Sequence, residues 1–313
     1  MTVIFNIGVD VSKDHLDVFM LPTGEATRLT NTATGFVDLF NWLGNRAIAR
    51  IVFEATGAYH KSFEQALSAR GMPYTKVNPY RARRFAQAIG KLAKTDRVDA
   101  ALLARMGIAL ESKPSKPFDQ RLDEMKELLV ARRSLSKDRT ATLTRRKTLK
   151  SNLLLAQNAA RLRQINLQLA SIDKALLGLA SQNESFAAKL RLLKTIPGIS
   201  DKSALTLLIE MPELGEIESK QAASLAGLAP MARQSGIWTG ASKITGGRRA
   251  LRHALYMPAL VACRHNPDLK AKYEALRAAG KPAKVALTAI MRKLLIVANA
   301  CIARNGAWHH KTT

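Results

Sequence analysis

Residues 4–10, Ile4-Phe5-Asn6-Ile7-Gly8-Val9-Asp10, and residues 51–54, Ile51-Val52-Phe53-Glu54, share one design. Each is a short apolar run, the pattern of a buried strand, and each closes on an acid. Between them, residues 15–21 (HLDVFML) and 25–31 read as two further strands, separated by Pro22 and Gly24. Thr34 to Asn45 carries Phe36, Leu39, Phe40 and Leu43 at helical spacing, so a helix leads into the second acid-tipped strand. After Glu54 and the turn Thr56-Gly57, the pattern predicts a helix over about 58–70 ended by Gly71, a strand over 74–78 ended by Pro79, and helical residues from about 80.

Three strands, a helix, a strand, a helix and a strand follow the order of ribonuclease-H-like domains, an order that also fits other α/β folds. The acids narrow the reading. Asp10 and Glu54 stand at strand ends, and Asp96 and Asp99 lie in Lys94-Thr95-Asp96-Arg97-Val98-Asp99-Ala100, three apart and so on one helix face. A lone Asp in such a place is an everyday cap, and Asp96 has the form of one. Four carboxylates gathered by adjacent strand ends and one helix would repel one another unless a cation lay between them. Oxygen donors without His or Cys favour magnesium, with manganese as the alternative, over zinc. Two such ions about 3.5–4 Å apart would clamp the attacking and leaving oxygens of a phosphodiester. No GxxxxGK[ST] loop is present, and GASKITGG at 240–247 only superficially resembles one, so nucleotide hydrolysis is not indicated. Metal-dependent cleavage or strand transfer of a nucleic acid is.

The charge agrees. The 313 residues carry 49 Lys and Arg against 24 Asp and Glu, a net charge of +25, while 47 % hydrophobic residues are ordinary for a globular protein and exclude disorder, collagen and a membrane bundle. The excess calls for a polyanion, nucleic acid before an anionic membrane surface. Cys263 and Cys301, with no zinc spacing, read as buried thiols in a reducing compartment. The N-terminus lacks the features of a signal peptide, and VALTAIMRKLLIVANACIA at 285–303 is interrupted by Arg292 and Lys293. A core helix, no membrane partner and a cytoplasmic, nucleoid-associated bacterial protein are expected.

Lys113-Pro114-Ser115-Lys116-Pro117 reads as a linker. Beyond it, Ile165, Leu169, Ile172, Leu176 and Leu179 repeat at spacings of four and three, a coiled-coil seam. Residues 131–151 hold eight Arg or Lys and one Asp, a basic helical coat in which Arg132, Arg133, Arg145, Arg146 and Lys147 are candidate phosphate contacts. Ile196-Pro197-Gly198-Ile199 has the form of a helix–hairpin–helix turn that could grip a phosphate, or of a plain turn. From Arg233 to Lys311 fifteen Lys or Arg face two acids, and Lys243, Arg248, Arg249 and Arg252 join the candidate phosphate contacts.

IGVDVSK at 7–13, FEATGAY at 53–59, VNP at 77–79, KTDRVDA at 94–100, IPGIS at 196–200, LAGLAP at 225–230, QSG at 234–236 and LRHALYMPAL at 251–260 together resemble the DEDD transposases of the insertion sequence one-ten group, relatives of the pilin-gene invertases. The resemblance covers nearly the whole chain in order. It implies a RuvC-like domain over 1–112, a helical coiled-coil segment over 119–185, and a mostly helical C-terminal transposase domain over 190–313. It also implies that Asp10, Glu54, Asp96 and Asp99 are metal ligands. Ser235, in the Ser-Gly pair beyond Ala229-Pro230, is implied as the nucleophile that leaves a phosphoserine link to DNA; Gln234 stands where some relatives carry an acid. Ser242 is the fallback and Tyr256, read as core, a weaker candidate. No His lies nearby in sequence, so the metal cluster is the plausible activator of a hydroxyl that is weak on its own. The implied partners are donor and target duplex DNA, a structured non-coding RNA that pairs with both, and further copies of the chain, as dimers assembling to a tetramer on DNA. Aromatics at 5 % are too few for a base-stacking platform, which suits sequence choice by base pairing. The competing readings are a site-specific invertase of the same chemistry, a plain junction resolvase that needs the acids but not Ser235, and a non-catalytic nucleic-acid binder on a nuclease-like fold.

Overall fold

The computed structural model describes residues 3–55, 57–90, 96–111, 114–235 and 238–310, the side chains of Asp96, Arg97, Arg233, Gln234, Trp238, Thr239 and Ala241 excepted. The chain divides into two compact units, Met1–Asp119 and Gln120–Thr313.

The first unit runs β1 (Ile4–Val11), β2 (His15–Leu21), β3 (Ala26–Thr30), α1 (Ala33–Leu43), β4 (Ala47–Glu54), α2 (Lys61–Ala69), β5 (Tyr74–Val77), α3 (Pro79–Ala88) and α4 (Asp96–Ala109). Its sheet has the order β3-β2-β1-β4-β5, with β1, β4 and β5 parallel and β2 and β3 antiparallel. This mixed α/β unit is consistent with a ribonuclease-H-like DEDD domain. Alternation decides which side chains go where. Ile7, Val9 and Val11 of β1 and Leu16, Val18 and Met20 of β2 share one face with Leu39 and Leu43 of α1 and Phe63 and Leu67 of α2. On the other face, Val52 and Val77 pack with Ala82 of α3 and Leu103 and Met106 of α4. The motif VNP is a helix start: the Asn78 side chain accepts from the Tyr80 amide, and Pro79 opens α3. The proline-rich segment at 114–118 is tied to this unit, with Ser115 N–H donating to the Tyr74 carbonyl and Tyr74 Oη to that of Lys116. Lys113 lies outside the described residues.

The second unit runs α5 (Gln120–Arg146), α6 (Asn152–Ser181), α7 (Glu184–Lys194), α8 (Asp201–Glu210), α9 (Ser219–Leu225), β6 (Pro230–Ser235), β7 (Trp238–Ile244), α10 (Arg249–His265), α11 (Pro267–Ala278) and α12 (Ala283–Ala303). α5 and α6 form an antiparallel hairpin, since Arg132 meets Asp173, Arg139 meets Asn166 and Asn158 donates to the Thr142 carbonyl. Ile165 and Leu176 are buried along it, and Leu169, Ile172 and Leu179 are half-buried. Where the charge pattern predicts one basic helix over 131–151, α5 stops at Arg146. Among the described residues only α12 is long and apolar enough to cross a membrane, yet Leu287, Ile290, Leu294, Leu295 and Ala298 bury it in the core of this unit.

One expectation changes here, that of Tyr256, and two details are added. A β-hairpin, β6–β7, interrupts the helical run. Tyr256, expected in the core, is 45 % exposed. The Ile196-Pro197-Gly198-Ile199 turn is closely packed: Ile196 and Ile199 are buried, and a Cβ on Gly198 would lie 2.7 Å from the Pro258 carbonyl of α10. The first turn of α8 already carries Asp201, paired with Lys194, where a gripped phosphate would meet a carboxylate. Of the two thiols read as buried, Cys301 is buried and Cys263 only half-buried, and burial pushes both pKa values up, away from the reactive thiolate.

Candidate active site

Gly8 organises the acids of the first unit. α4 crosses β1 so closely that a Cβ on Gly8 would lie 1.9 Å from the Ala100 carbonyl and 2.5 Å from the Ala104 amide nitrogen. No other residue fits. Further along, Gly107 lies against Val52 of β4, and Arg50 fixes the helix by donating to the Gly107 carbonyl at 2.9 Å. α4 thus lies on the face to which Gly8 and Val52 point. Residues two further on share that face, and they are Asp10 and Glu54. Gly8 pairs with Val52 and Val9 with Phe53, so the two acids stand side by side on neighbouring strands, which run about 4.8 Å apart. Asp99 immediately precedes the Ala100 that covers Gly8, at the start of the helix. Asp10, Glu54 and Asp99 are all half-buried. Asp96 is the first residue of α4, one helical turn before Asp99, and its side chain lies outside the described residues.

Sequence reasoning missed two groups of this unit, the first beside these acids and the second on the opposite face of the sheet. Asp17 of β2 pairs in register with Asp10 and with Arg28 of β3, and Arg28 holds it by two bonds of 2.9 Å. Arg28, Asp17, Asp10 and Glu54 therefore form one row across the sheet, visible only once the register is known. The second group lies at α2 and β5. Each carboxylate oxygen of buried Glu64 accepts from Lys76 Nζ, at 2.7 and 2.8 Å, and the carboxylate also meets the Tyr74 hydroxyl and His60. Burial first, and the Glu64 charge second, push the Tyr74 hydroxyl up to about 12.

Carboxylate oxygens with no competing thiolate or imidazole fit a hard divalent cation. Among the described residues no three His, Cys, Asp or Glu side chains form a group that could hold a metal ion; the Asp96 side chain lies outside them.

In the second unit, Ser235 is the last residue of β6, exposed, and paired across the hairpin tip with Trp238. The base of that hairpin is clamped. A Cβ on Gly227 would lie 2.2 Å from the Gly246 carbonyl, and one on Gly247 2.1 Å from the Gly227 nitrogen, so the chain entering β6 and the chain leaving β7 touch through bare backbone. Arg252 donates to the carbonyls of both Gly227 and Gly246. Arg248 donates to the Glu210 carbonyl and pairs with Glu213. The LAGLAP and GGRR segments are the two sides of this clamp. Ser242 is exposed on β7.

The nine cations singled out by sequence divide in two. Arg132 pairs with Asp173, Arg133 with Glu210, and Arg248 and Arg252 hold the clamp, so these four serve the fold. Arg145, Arg146, Lys147, Lys243 and Arg249 stand exposed. Composition counts charges but not their partners.

An acid-tipped mixed sheet crossed by an acidic helix start, joined to a strongly basic helical unit, defines a nuclease-like class of enzyme acting on nucleic-acid strands. The comparisons give the family. Residues 7–153 match the DEDD transposase model of the IS110 group, and residues 190–274 match the model described as "Transposase IS116/IS110/IS902 family". Over 310 residues, 96 % of this chain and 96 % of each relative, the sequence is 31 % identical to a pilin gene-inverting protein of Moraxella lacunata and 30 % identical to one of Moraxella bovis. The chain belongs to the IS110 family of transposases. It is a DNA recombinase, and DNA is its substrate.

Proposed function

We propose that the chain excises and inserts a mobile element through a covalent serine link to DNA. The observation that carries this reading is the Gly8–Ala100 contact, which gives an acidic helix start a reason to lie on the acid-tipped strands. In the proposed site, Asp10, Glu54, Asp96 and Asp99 hold a divalent cation, magnesium or manganese. When bound, that cation supplies neutralising charge at the phosphodiester. Ser235 Oγ forms a bond to phosphorus as the ester bond to one of the strand's own oxygens breaks, and the hydroxyl proton leaves to water. The phosphoserine conserves the bond for rejoining. The clamped hairpin holds Ser235 at a defined height while leaving it open to DNA.

Arg145, Arg146, Lys147, Lys243 and Arg249 are the residues that grip phosphates. A structured RNA that pairs with donor and target DNA supplies sequence choice, which the large net charge and the scarcity of aromatic side chains support. The chain works as an oligomer, dimers joining on DNA, with residues 1–112, 119–185 and 190–313 as acidic-site, helical and serine-bearing domains. The names of the Moraxella relatives favour a second reading, inversion of a fixed segment by the same chemistry. The DNA flanking the gene separates the two: element ends against an invertible segment.

The test is a protein–DNA adduct on a denaturing gel with labelled DNA. Ser235→Ala abolishes the adduct and keeps nucleic-acid binding; Ser242→Ala retains it; Asp99→Asn abolishes cleavage with binding intact. An adduct mapped to Ser242 or Tyr256 moves the nucleophile, and nicked DNA without adduct assigns the attack to water.

A further inference from the structure

A groove of 870 Å³ opens at the base of the hairpin, where the Ser242–Ile244 end of β7 faces α11 and α12. Its floor is apolar, built from Ile244, Leu276, Ala289 and Ile296. Its rim carries five cations, Lys243, Lys272, Lys284, Arg292 and Lys293, and none of the described lining residues is acidic. The Arg292 Nε is buried and has no acceptor among the described residues, an arrangement that disfavours leaving the groove empty.

We infer that this groove receives an unpaired nucleotide of a nucleic-acid strand, its base on the apolar floor and its flanking phosphates on the lysine rim. The occupant must be anionic, because five cations face it. It must also present an apolar face, which a stacked duplex hides and an unpaired base exposes. The volume lies within the range of small-molecule pockets. None of the described lining side chains is aromatic, so the base is held by packing and by Arg292 rather than by stacking, and recognition tolerates any base. β7 runs from this groove directly to the tip that bears Ser235, so a strand whose base is drawn out here passes along the hairpin. The inference rests on the chain acting on nucleic acid, and it stands or falls independently of which residue is the nucleophile.

The probes are a 20-nucleotide single strand, as RNA and as DNA, and the duplex of the same sequence, bound to the full chain and followed by fluorescence anisotropy. Ala289→Leu fills the floor without changing charge. It weakens single-strand binding by about fivefold to tenfold and leaves duplex binding unchanged. The exposed pair Lys284→Gln with Lys293→Gln, which does not touch the core, weakens the single strand more than the duplex. Photo-crosslinking from 4-thiouridine or 4-thiothymidine labels peptides spanning 242–244 or 284–296, and the stronger of the RNA and DNA arms names the strand. Equal losses for single strand and duplex in the lysine variant return the groove to a general basic coat and overturn the inference. So do crosslinks that all fall elsewhere, or an Ala289→Leu chain that changes its oligomeric state and still binds single strands normally. The Ser235 adduct assay on the same variants reports separately on the chemistry.

Discussion

Replacing Gly8 by Ala tests the central contact of the first unit. The added methyl would sit 1.9 Å from the Ala100 carbonyl, against about 3.4 Å for an ordinary contact, so α4 must rise by roughly 1.5 Å or tilt. Both obstacles are backbone atoms, so no side-chain rotation relieves the clash. Overpacking of this kind costs about 1–3 kcal/mol. In a unit of this size that lowers its melting temperature by roughly 3–15 °C. The larger effect falls on chemistry. Asp99 moves with the helix and Asp10 stays with the strand, and a displacement of about 1 Å in an active constellation costs about a hundredfold in rate. Scanning calorimetry reads the first effect, and a single-turnover cleavage assay at saturating manganese, well below the melting temperature, reads the second. Manganese binding to the folded variant, followed by titration calorimetry, weakens in parallel. Gly8→Ala with wild-type melting and wild-type cleavage would refute the placement of α4. Lower stability with unchanged cleavage would keep the contact but detach Asp99 from the site.

Four further outcomes are expected. Gly178→Ala, in α6 with open space around it, stabilises the second unit by about 0.5–1 kcal/mol in denaturant melts and leaves DNA binding alone. Arg28→Gln removes the partner of Asp17 beside Asp10, so manganese binds more tightly by calorimetry, while stability falls by no more than about 1 kcal/mol because the pair is partly exposed; unchanged binding would separate the Asp17 pair from the site. Replacing Arg145, Arg146 and Lys147 together by Gln flattens the salt dependence of duplex binding by up to about 2.7 log units per log unit of salt, whereas Arg132→Gln leaves that slope alone and weakens the helical hairpin. Burial raises the Asp173 pKa, but bonds from Arg132 and Lys202 outweigh it and hold the carboxyl below its ordinary value. The stability it adds is therefore complete above the unfolded pKa and is lost as pH falls through the folded one, so Asp173→Asn lowers melting at pH 7 and narrows the gap to wild type under strongly acid conditions.

What was legible in the sequence follows from how far apart the interacting residues are. The apolar runs that end in Asp10 and Glu54 announce strands because alternation and burial act over a few neighbouring residues, and Asp96 and Asp99 announce a helix face for the same reason. Nothing local marks Gly8 as the seat of α4, since the atoms that exclude a side chain there belong to Ala100 and Ala104. Asp17 looked like any polar residue of a half-buried strand until register set it opposite Asp10. The hairpin around Ser235 was hidden by Pro230 and Gly240, which break the alternation that would announce two strands, and its stability comes from a clamp made with Gly227, Gly247 and Arg252.

Charge shows the same division between a sum and its arrangement. A net charge of +25 identifies the kind of partner, because a long-range field depends on the sum. It does not say which cations touch that partner. Asp173, Glu210 and Glu213 are acids of the second unit, and each is bound to an arginine that composition alone would have given to DNA. An arginine so held already spends its donors inside the fold, and turning it outward would leave its carboxylate or carbonyl partners without their bonds. Of the nine cations that the sequence singles out, those left for phosphates are then the ones at the end of α5 and beside the hairpin. The stretch around Ser235 is accordingly flanked by exposed positive charge at Lys243 and Arg249 and braced by bound positive charge at Arg248 and Arg252, so neighbouring residues of one basic segment serve opposite purposes.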